Sequence, residues 1–495
     1  MSQRPLVTLL RVADKIRTLI AMVFHTLLAL LLIRLDALVS LPICAFPRSP
    51  AQAARSWWLQ KSVRKLEGAG NLQMGPRTTT LEPAKAASRA PLVYVNATTG
   101  DVLARLFIKC GDAFSRGLPL WLTALASFSG NREVYFYQHI RRLLPSSVDA
   151  PRAVLAAEVA LLARWCLVLT DVSTTGSATE YSREPTVETT KAARRSRSPE
   201  RRGAGAHAGA LHAYVVPDRT GCSLAMSLAV VRTLARLHAA FWGAADREPA
   251  LRPLTKHRAA HGPRGYVPAP AVAILLGRSL PKLPRLKRLW TLLLSSRLGE
   301  ATTTLLHGDC RPENLMFHCR GGPAAADALP EAAGGAGGWR VTLLDWEAVG
   351  VNPAANDLVY FIVIGLRARD AALWEDTLLE AYHSELMAAG AHIDCTIEQL
   401  RAEFRLVGCV LLVVQACFAV EDIFKGWGNH GANLLPWMVR LCQFTRRLDV
   451  KAVSALLPAE QRGEVREILD HLKEKASAGL ARLEKENGAE LVASL

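Results

Sequence analysis

The sequence has no C-x-x-C pair among its ten cysteines, which argues against a zinc ribbon or a thioredoxin-like redox motif. It also lacks a stripe of basic residues interleaved with aromatic ones, which argues against a nucleic-acid-binding surface. The formal net charge is nevertheless +16, and part of it is local, because five arginines crowd residues 194–202. This charge favours anionic partners such as nucleotides or an acidic membrane surface.

The apolar run over residues 19–33 is shorter than the about 20 residues that a membrane-spanning helix requires. Basic residues flank it on both sides. Three interpretations stay open: a membrane anchor or interfacial helix, a cleaved targeting segment, and a packing helix of a soluble protein. The expected location is therefore cytoplasmic or a cytoplasmic-facing membrane, with organelle targeting through a cleaved N-terminus as the alternative.

Patterns of apolar residues predict the secondary structure of the remaining chain. A hairpin is expected from residues 92–97 and 102–109, and a helix over 131–143 with Val134, Tyr137 and Ile140 on one face. The other predicted elements are a strand at 165–169, a helix at 224–242, a buried helix at 406–420 and an amphipathic helix in the tail, with apolar positions from Val465 to Leu483.

Two stretches are poor in large apolar side chains, so they cannot bury enough surface to offset the entropy of ordering. Residues 173–210 are rich in Ser, Thr, Arg, Ala and Gly, and residues 320–338 are rich in Ala and Gly. We expect a disordered basic insertion in the first and a surface loop in the second.

The most informative motif is His-Gly-Asp-Cys-Arg-Pro-Glu-Asn at residues 307–314. His307, Asp309 and Asn314 stand at the spacing of a kinase catalytic loop, with Gly308 in place of its Arg. In such a loop the Asp accepts the proton of the acceptor hydroxyl, and the Asn binds a magnesium ion. Apolar strands are predicted on both sides, at Thr303–Leu306 and Leu315–Phe317, so the loop would be held rigidly.

A second acidic residue strengthens this interpretation. Residues 341–346 read Val-Thr-Leu-Leu-Asp-Trp, an apolar strand that ends in Asp345, where a kinase-like enzyme places its metal-binding Asp. Without the insertion at 320–338, the number of residues between Asp309 and Asp345 suits a β-hairpin that returns Asp345 beside Asn314.

Upstream, Lys109 ends a β-type run and Glu133 lies on the following predicted helix. Together they predict the ion pair that orients a lysine towards the α- and β-phosphates of ATP. Arg311, two positions after Asp309, either steadies the transferring phosphoryl group or faces solvent. We predict structural roles for His307, which would bond the loop backbone, and for His238, a core histidine.

The segments "HGDCRPENLMF", "LLDWEAVGVNPAANDLVYF", "REVYFYQHI" and "LARLHAAFW" resemble the aminoglycoside phosphotransferase and choline kinase superfamily, nearest to its ecdysteroid-kinase-like (CHK kinase-like) branch. The resemblance spans about residues 90–440. It implies an α+β, protein-kinase-like fold with two lobes: a small N-lobe with an antiparallel sheet and a larger, mainly helical C-lobe.

The same resemblance implies roles for individual residues. Asp309 would be the catalytic base, with Asn314 and Asp345 as metal ligands. Asp357 would brace the catalytic loop. The interlobe hinge would be residues 169–172, where the backbone of Leu169 and Asp171 would bind adenine. The implied cofactors are ATP and Mg²⁺.

These predictions divide the chain into five segments. They are a hydrophobic anchor or targeting segment at 1–50, the N-lobe and hinge at 51–172, the basic insertion at 173–210, the C-lobe with its insertion at 211–450, and a C-terminal amphipathic helix at 451–495.

We therefore expect a phosphotransferase that moves the γ-phosphoryl group of ATP to a hydroxyl of a small molecule. The acceptor class stays open among choline-like amines, aminoglycosides, sterol-like alcohols and sugars. Trp427, Trp437, Glu421 and Asp422 either line a pocket for a cationic acceptor or, as we favour, are core aromatics and surface acids. No G-x-G-x-x-G loop precedes Lys109, which keeps a catalytically silent, nucleotide-binding scaffold as the alternative. A protein kinase is disfavoured because no A-P-E segment follows Asp345 at a suitable distance.

Overall fold

The computed structural model describes residues 72–75, 88–96, 102–112, 131–159, 164–173, 179–180, 211–217, 220–245, 247–255, 276–294, 296, 301–320, 323–328, 338–390, 393–420 and 431–495. The chain divides into two compact units. Unit 1 comprises Met1–Arg142 and Arg152–Asp171, and unit 2 comprises Leu143–Pro151 and Val172–Leu495. The apolar run 19–33 and most of the basic insertion lie outside the described residues.

Unit 1 contains a five-stranded antiparallel sheet with the strand order β1-β2-β3-β5-β4. Its strands are β1 (Leu72–Gly75), β2 (Ser88–Asn96), β3 (Val102–Asp112), β4 (Ala153–Val159) and β5 (Arg164–Thr170). The predicted hairpin is confirmed by the antiparallel pairing of β2 with β3. Because side chains alternate along a strand, Ile108 and Lys109 point to opposite faces, and both are buried.

The single long helical segment described in unit 1 begins at Arg132, as predicted. We call it α1; an α-helical turn (Arg132–Tyr135) continues into a π-helical turn (Phe136–Ile140) and a 3₁₀ turn (Arg141–Leu143). The side chain of Asn131 caps its start by accepting the N–H of Val134 at 2.9 Å. Glu158 of β4 in turn accepts the N–H of Asn131 at 2.7 Å, and this tethers the helix to the sheet.

Unit 2 holds a second, four-stranded sheet of order β10-β9-β7-β6 and a two-stranded ribbon of β11 and β8. In the sheet, β9 pairs antiparallel with β10 and with β7, whereas β6 is parallel to β7. In the ribbon, β8 and β11 are antiparallel. The strands are β6 (Thr179–Glu180), β7 (Leu211–Val215), β8 (Thr303–Leu306), β9 (Leu315–Arg320), β10 (Arg340–Leu343) and β11 (Gly350–Pro353).

Helices make up most of unit 2. They are α2 (Leu224–Ala240), α3 (Arg252–Thr255), α4 (Pro284–Leu294), α5 (Pro323–Ala328), α6 (Ala355–Val359), α7 (Ala368–Ala389), α8 (Ile397–Val420), α9 (Gly431–Arg447), α10 (Val450–Ala455), α11 (Arg462–Asn487) and α12 (Ala489–Ser494). Short 3₁₀ turns occur at Pro249–Leu251, Leu280–Lys282, Pro312–Asn314, Trp346–Ala348 and Ala459–Gln461, and a π-helical turn at Tyr360–Gly365. The antiparallel sheet of unit 1 and the mainly helical unit 2 confirm the predicted α+β architecture.

The core of unit 2 lies around α2 and α8. Leu234 and Leu237 of α2 are fully buried, as are Cys409 and Val413 of α8. The predicted helix at 406–420 is therefore confirmed as the second half of α8, and its apolar side chains from Leu406 to Val414 and at Cys417 are buried. Among the described residues, no helix combines the length and the apolar character needed to cross a membrane.

The described part of the insertion at 320–338 is more ordered than its composition predicts. Helix α5 occupies part of it, and Ala326 is buried. Asp327 accepts hydrogen bonds from Ser223, the N-cap of α2, and from the indole of Trp339, both at 2.8 Å. The expectation of a plain surface loop is therefore wrong for this part, because one polar side chain connects it to two neighbouring elements.

Candidate active site

The loop at residues 307–314 is anchored by a strand on each side. Strand β8 delivers the chain to His307 and pairs with β11, where Leu306 faces Gly350. The 3₁₀ turn Pro312–Asn314 then leads directly into β9, which pairs antiparallel with β10. The predicted flanking strands and the predicted hairpin between Asn314 and Asp345 are both present, so neither end of the loop is free.

Asp309 and Asn314 contact one another inside this loop. The amide nitrogen of Asn314 donates to Oδ2 of Asp309 at 2.7 Å and to the Asp309 carbonyl oxygen at 3.0 Å. Asn314 is buried, while the Asp309 side chain retains 15% exposure. The carboxylate is thus oriented by the loop itself and still accessible.

Asp345 reaches the same place from the end of β10. The backbone N–H of Leu344 donates to the carbonyl oxygen of Asn314 at 2.9 Å, which fixes the neighbouring Asp345 next to the loop. Asp345 has φ 59° and ψ 70°, and among the described residues it is the one non-glycine with a positive φ. This left-handed conformation is uncommon for non-glycine residues, although Asp adopts it more readily than most, and residues held in it cluster at functional sites.

Gly308 has a steric reason to be glycine. Its φ is 85°, and a Cβ atom there would overlap the carbonyl oxygen of Ala348. Both features exclude other side chains. The close approach packs the loop against the 3₁₀ turn that follows Asp345. The sequence showed only that Gly308 replaces an arginine, and not why.

Asp357, at α6, braces the loop as the resemblance implied. Its two carboxylate oxygens accept the backbone N–H groups of His307 and Gly308, each at 2.8 Å. Burial by itself would raise the pKa of Asp357. The bond from His238 and the neighbouring His307 and Gly308 outweigh burial and hold this pKa below its ordinary value.

Two residues that support Asp357 were not assigned this role from the sequence. His238 of α2 is fully buried, with Nε2 at 3.2 Å from Asp357 and Nδ1 at 2.7 Å from the hydroxyl of Tyr382 on α7. The prediction that His238 is a satisfied core histidine is confirmed, and its partners add that it connects α7 to the loop. A histidine inside the apolar stripe of α2 was the available signal; nothing in the sequence identified Tyr382.

His307 also has the predicted structural role. Its Nε2 bonds the carbonyl oxygen of Leu344 at 2.7 Å, and its ring contacts Trp346 with centroids 4.8 Å apart. The ring therefore connects the loop to the strand end that carries Asp345.

Arg311 lies beside Asp309, with Nε 3.5 Å from Oδ2, and 17% of its side chain is exposed. Its Nη1 lies 3.8 Å from Glu313. Its guanidinium carbon also lies 5.6 Å from the ring centroid of Trp437 on α9. Arg311 thus lies beside Asp309 within the loop at 307–314, and it is mostly shielded from solvent.

In unit 1, the predicted ion pair is formed. Lys109 Nζ lies 2.5 Å from Glu133 Oε2, and the two side chains are 4% and 1% exposed. The ammonium group also lies 5.6 Å from the Trp165 ring centroid. Lys109 stands in the interior of β3 and not at its end, because the strand continues to Asp112.

The residues predicted to form the hinge also lie in unit 1. Leu169 is buried on β5, opposite Phe107 of β3. Asp171 follows the strand and is partly exposed. The intervening Thr170 donates its backbone N–H to Arg152 at 2.8 Å. The structure thus places Leu169 and Asp171 at the end of the strand next to Lys109, within the same sheet.

Among the described residues, no group of three or more His, Cys, Asp or Glu side chains is arranged to hold a metal ion by itself.

The patterns of two known protein families match parts of this chain. The pattern of the phosphotransferase enzyme family matches residues 127–326, and that of the ecdysteroid kinase-like family matches residues 285–394. No curated protein sequence matches the chain significantly.

Several solved structures are similar to this one at low sequence identity. An ethanolamine kinase from Plasmodium vivax has 11% identity and a TM-score of 0.38, covering 78% of this chain and 86% of its own. The choline kinase from Streptococcus pneumoniae has 12% identity and a TM-score of 0.34, covering 78% and 97%. An amicoumacin kinase solved with AMP-PNP has 11% identity and a TM-score of 0.33, covering 86% and 95%.

The two family patterns overlap on the catalytic loop and together include His238, Asp309, Asp345 and Asp357. The resemblance to the aminoglycoside phosphotransferase and choline kinase superfamily, and to its ecdysteroid-kinase-like branch, is thereby confirmed over residues 127–394 of the chain.

Proposed function

We propose that this chain transfers the γ-phosphoryl group of ATP to a hydroxyl group of a small molecule. The observation that carries the proposal is the contact of Asp309 with Asn314 at 2.7 Å, with Asp345 brought beside them through the Leu344 to Asn314 backbone bond. A loop with a purely structural role does not need an accessible carboxylate, a buried amide and a second, conformationally strained acid together.

In this mechanism Asp309 accepts the proton of the acceptor hydroxyl. Asn314 holds the Asp309 carboxylate through its amide N–H, so the base is oriented before the acceptor arrives. Arg311, 3.5 Å from the same carboxylate, adds positive charge where the phosphoryl group would carry negative charge. Little covalent work is required of the protein, because positioning and charge stabilisation supply most of the rate.

The donor set beside Asp309 fits magnesium. Asp345 offers a carboxylate, and Asn314 offers the amide oxygen that remains when its nitrogen bonds Asp309. Mg²⁺ in nucleotide sites takes one or two such oxygens and completes its coordination with phosphate oxygens and water. When bound, the ion would neutralise charge on the phosphates; Asn314 and Asp345 are the residues that would hold it.

Lys109 and Glu133 would serve the nucleotide. The 2.5 Å ion pair is almost completely buried, so Glu133 fixes one direction of the ammonium group that would contact the phosphate oxygens. Leu169 and Asp171 are the proposed adenine-binding backbone positions.

A catalytically silent scaffold is the second candidate. One observation favours it: strand β2, Ser88–Asn96, pairs directly with β3 and contains no glycine that would let a backbone loop cradle phosphates. The intact set of Asp309, Asn314 and Asp345 argues for the enzyme.

The test compares Asp309→Asn with Asp345→Asn, using Glu490→Gln on α12 as an exposed control. Magnesium-ATP binding is measured by calorimetry, and turnover by labelled phosphate transfer to a metabolite pool and by ATP hydrolysis. We expect Asp309→Asn to lower turnover by about two orders of magnitude or more while ATP binding is retained. Asp345→Asn should weaken magnesium-ATP binding as well as turnover.

A wild type that binds ATP without turnover, with Asp309→Asn identical to it, supports the scaffold. A wild type that binds no nucleotide contradicts both candidates.

A further inference from the structure

Trp437 lies against the side chain of Arg311, although α9 is far from the catalytic loop in sequence. The guanidinium carbon of Arg311 is 5.6 Å from the indole ring centroid, within the about 6 Å over which a cation is attracted to an aromatic face. Arg311 also approaches Asp309 at 3.5 Å and Glu313 at 3.8 Å. The guanidinium is thus close to an aromatic ring and to two carboxylates.

Helix α9 is itself braced against the segment that supports the loop. Arg440 is fully buried and donates to the carbonyl oxygen of Ile364 at 2.5 Å. Arg440 follows Trp437 by three positions, so both residues project from the same side of the helix. Gly365, which follows Ile364, packs closely on Pro312 of the loop at 307–314. A Cβ atom at Gly365 would lie 3.0 Å from the proline ring. The helix that carries Trp437 is therefore anchored next to the loop.

The ion pair by itself is a weak constraint. Arg311 and Asp309 retain 17% and 15% exposure, and partly exposed pairs with long side chains gain little because ordering the arginine costs entropy. A flat ring in contact with the guanidinium removes part of that freedom before any ligand binds. Arginine also stacks on aromatic faces through its planar, delocalised group, which lysine cannot do.

We propose that Trp437 is a positioning residue, which holds the Arg311 guanidinium beside Asp309 in the orientation needed for phosphoryl transfer. This inference rests on the proposed function. It also assigns the indole face to the chain's own guanidinium, and not to a cationic acceptor. The two assignments differ in kinetics: loss of a positioning residue lowers kcat, whereas loss of a binding face raises the KM of a cationic acceptor.

The contact can be tested without any activity. In NMR spectra of the full chain with isotope-labelled arginine, the resonance missing from Arg311→Lys identifies Arg311. We expect an upfield ring-current shift of its side-chain protons in the wild type, lost in Trp437→Leu and retained in Trp437→Phe. The control is Trp374→Leu, which removes a partly exposed tryptophan from α7 and should leave the Arg311 resonance unchanged.

The role is tested by ATP hydrolysis with magnesium-ATP as the substrate. We expect kcat to fall about tenfold in Trp437→Leu and about threefold or less in Trp437→Phe, with the KM for ATP changed less than about twofold. Trp374→Leu should match the wild type. The double variant Trp437→Leu/Arg311→Lys should be no slower than Arg311→Lys, because the ring acts through the guanidinium.

Choline serves as the cationic probe for the other assignment. If wild type binds choline in calorimetry and Trp437→Leu does not, with kcat intact, the ring is a ligand face and the proposal is overturned. A lost ring-current shift with unchanged kcat overturns the positioning role and leaves the proposed function standing. Absence of ATP turnover in the wild type contradicts the proposed function, and the positioning role with it, while the NMR result still reports the contact.

Discussion

The carboxylate of Asp357 accepts the backbone N–H of Gly308 at 2.8 Å, one residue before Asp309. Its other oxygen accepts the N–H of His307, so one buried side chain holds two consecutive peptide groups of the catalytic loop. Because His238 and Tyr382 hold Asp357 in turn, the loop is connected to two helices of unit 2.

Replacement of Asp357 should therefore affect both stability and turnover. Asp357→Asn keeps the shape but offers an N–H₂ where an acceptor is needed. We expect a loss of about 3 kcal/mol in the free energy of unfolding by urea and at least about a tenfold loss of turnover. The exposed Asp394→Asn is the control. An unchanged melting temperature for Asp357→Asn would contradict the bracing role.

The contribution of the Asp357 carboxylate to the free energy of unfolding should depend on pH in one direction. The pKa of Asp357 is held below its ordinary value, so its stabilising contribution is present above the unfolded-state pKa of about 3.9 and is lost as pH falls through the folded-state pKa. The difference in unfolding free energy between wild type and Asp357→Asn should thus be constant from neutral pH to about pH 5 and shrink below about pH 4.

Gly308→Ala should damage the site more than its size suggests. The added Cβ would overlap the carbonyl oxygen of Ala348, and the φ of 85° would become strained. We expect a loss of at least about 2 kcal/mol in unfolding free energy, together with loss of turnover. Gly463→Ala is the matched control, because α11 leaves open space around it; its melting temperature should be equal or slightly higher.

The Lys109–Glu133 pair predicts non-additive substitutions. Both side chains are buried, so Lys109→Met or Glu133→Gln removes the opposite charge beside a buried ionised group and should cost about 3–5 kcal/mol in unfolding free energy. The double variant should lose less than the sum of the two. The exposed Lys451→Met should show no change. Strict additivity in this double-mutant cycle would show that the pair is not coupled.

Changes in the two parts of the insertion at 320–338 should affect the stability of the protein differently. Asp327→Ala removes the acceptor of two hydrogen bonds and should lower the unfolding free energy by about 1–2 kcal/mol. Deletion of residues 329–336, which follow α5, should leave the melting temperature and turnover nearly unchanged. Equal losses from both changes would show that the second part also has a structural role.

Glu403 on α8 predicts a second pH effect, of opposite sign. Burial raises its pKa to about 7. A carboxyl with a raised folded-state pKa stabilises the fold at low pH and loses that contribution as pH rises through the folded-state value. Glu403→Gln should therefore be more stable than wild type by about 2 kcal/mol at pH 8 and similar to it near pH 4.5. Exposed Glu398→Gln should show no such pH dependence.

Local spacing was enough to predict a loop that brings Asp309 and Asn314 together. His307, Asp309 and Asn314 lie within one short segment, so their separation along the chain limits their separation in space. The hairpin that returns Asp345 to Asn314 was also predictable, because β9 and β10 are neighbours along the chain once the insertion is removed. The π-helical turn in α1 and helix α5 were not, since periodicity and composition do not report them.

By itself the sequence determined the α+β architecture, the flanking strands and the identities of Asp309, Asn314, Asp345, Lys109 and Glu133 as candidate residues. Only the tertiary structure decided that Tyr382 supports Asp357 through His238, that Gly308 packs on Ala348 and that Trp437 lies against Arg311. The physical reason is that these partners come from different elements. Their contacts depend on how helices and loops pack within unit 2, which no local pattern encodes.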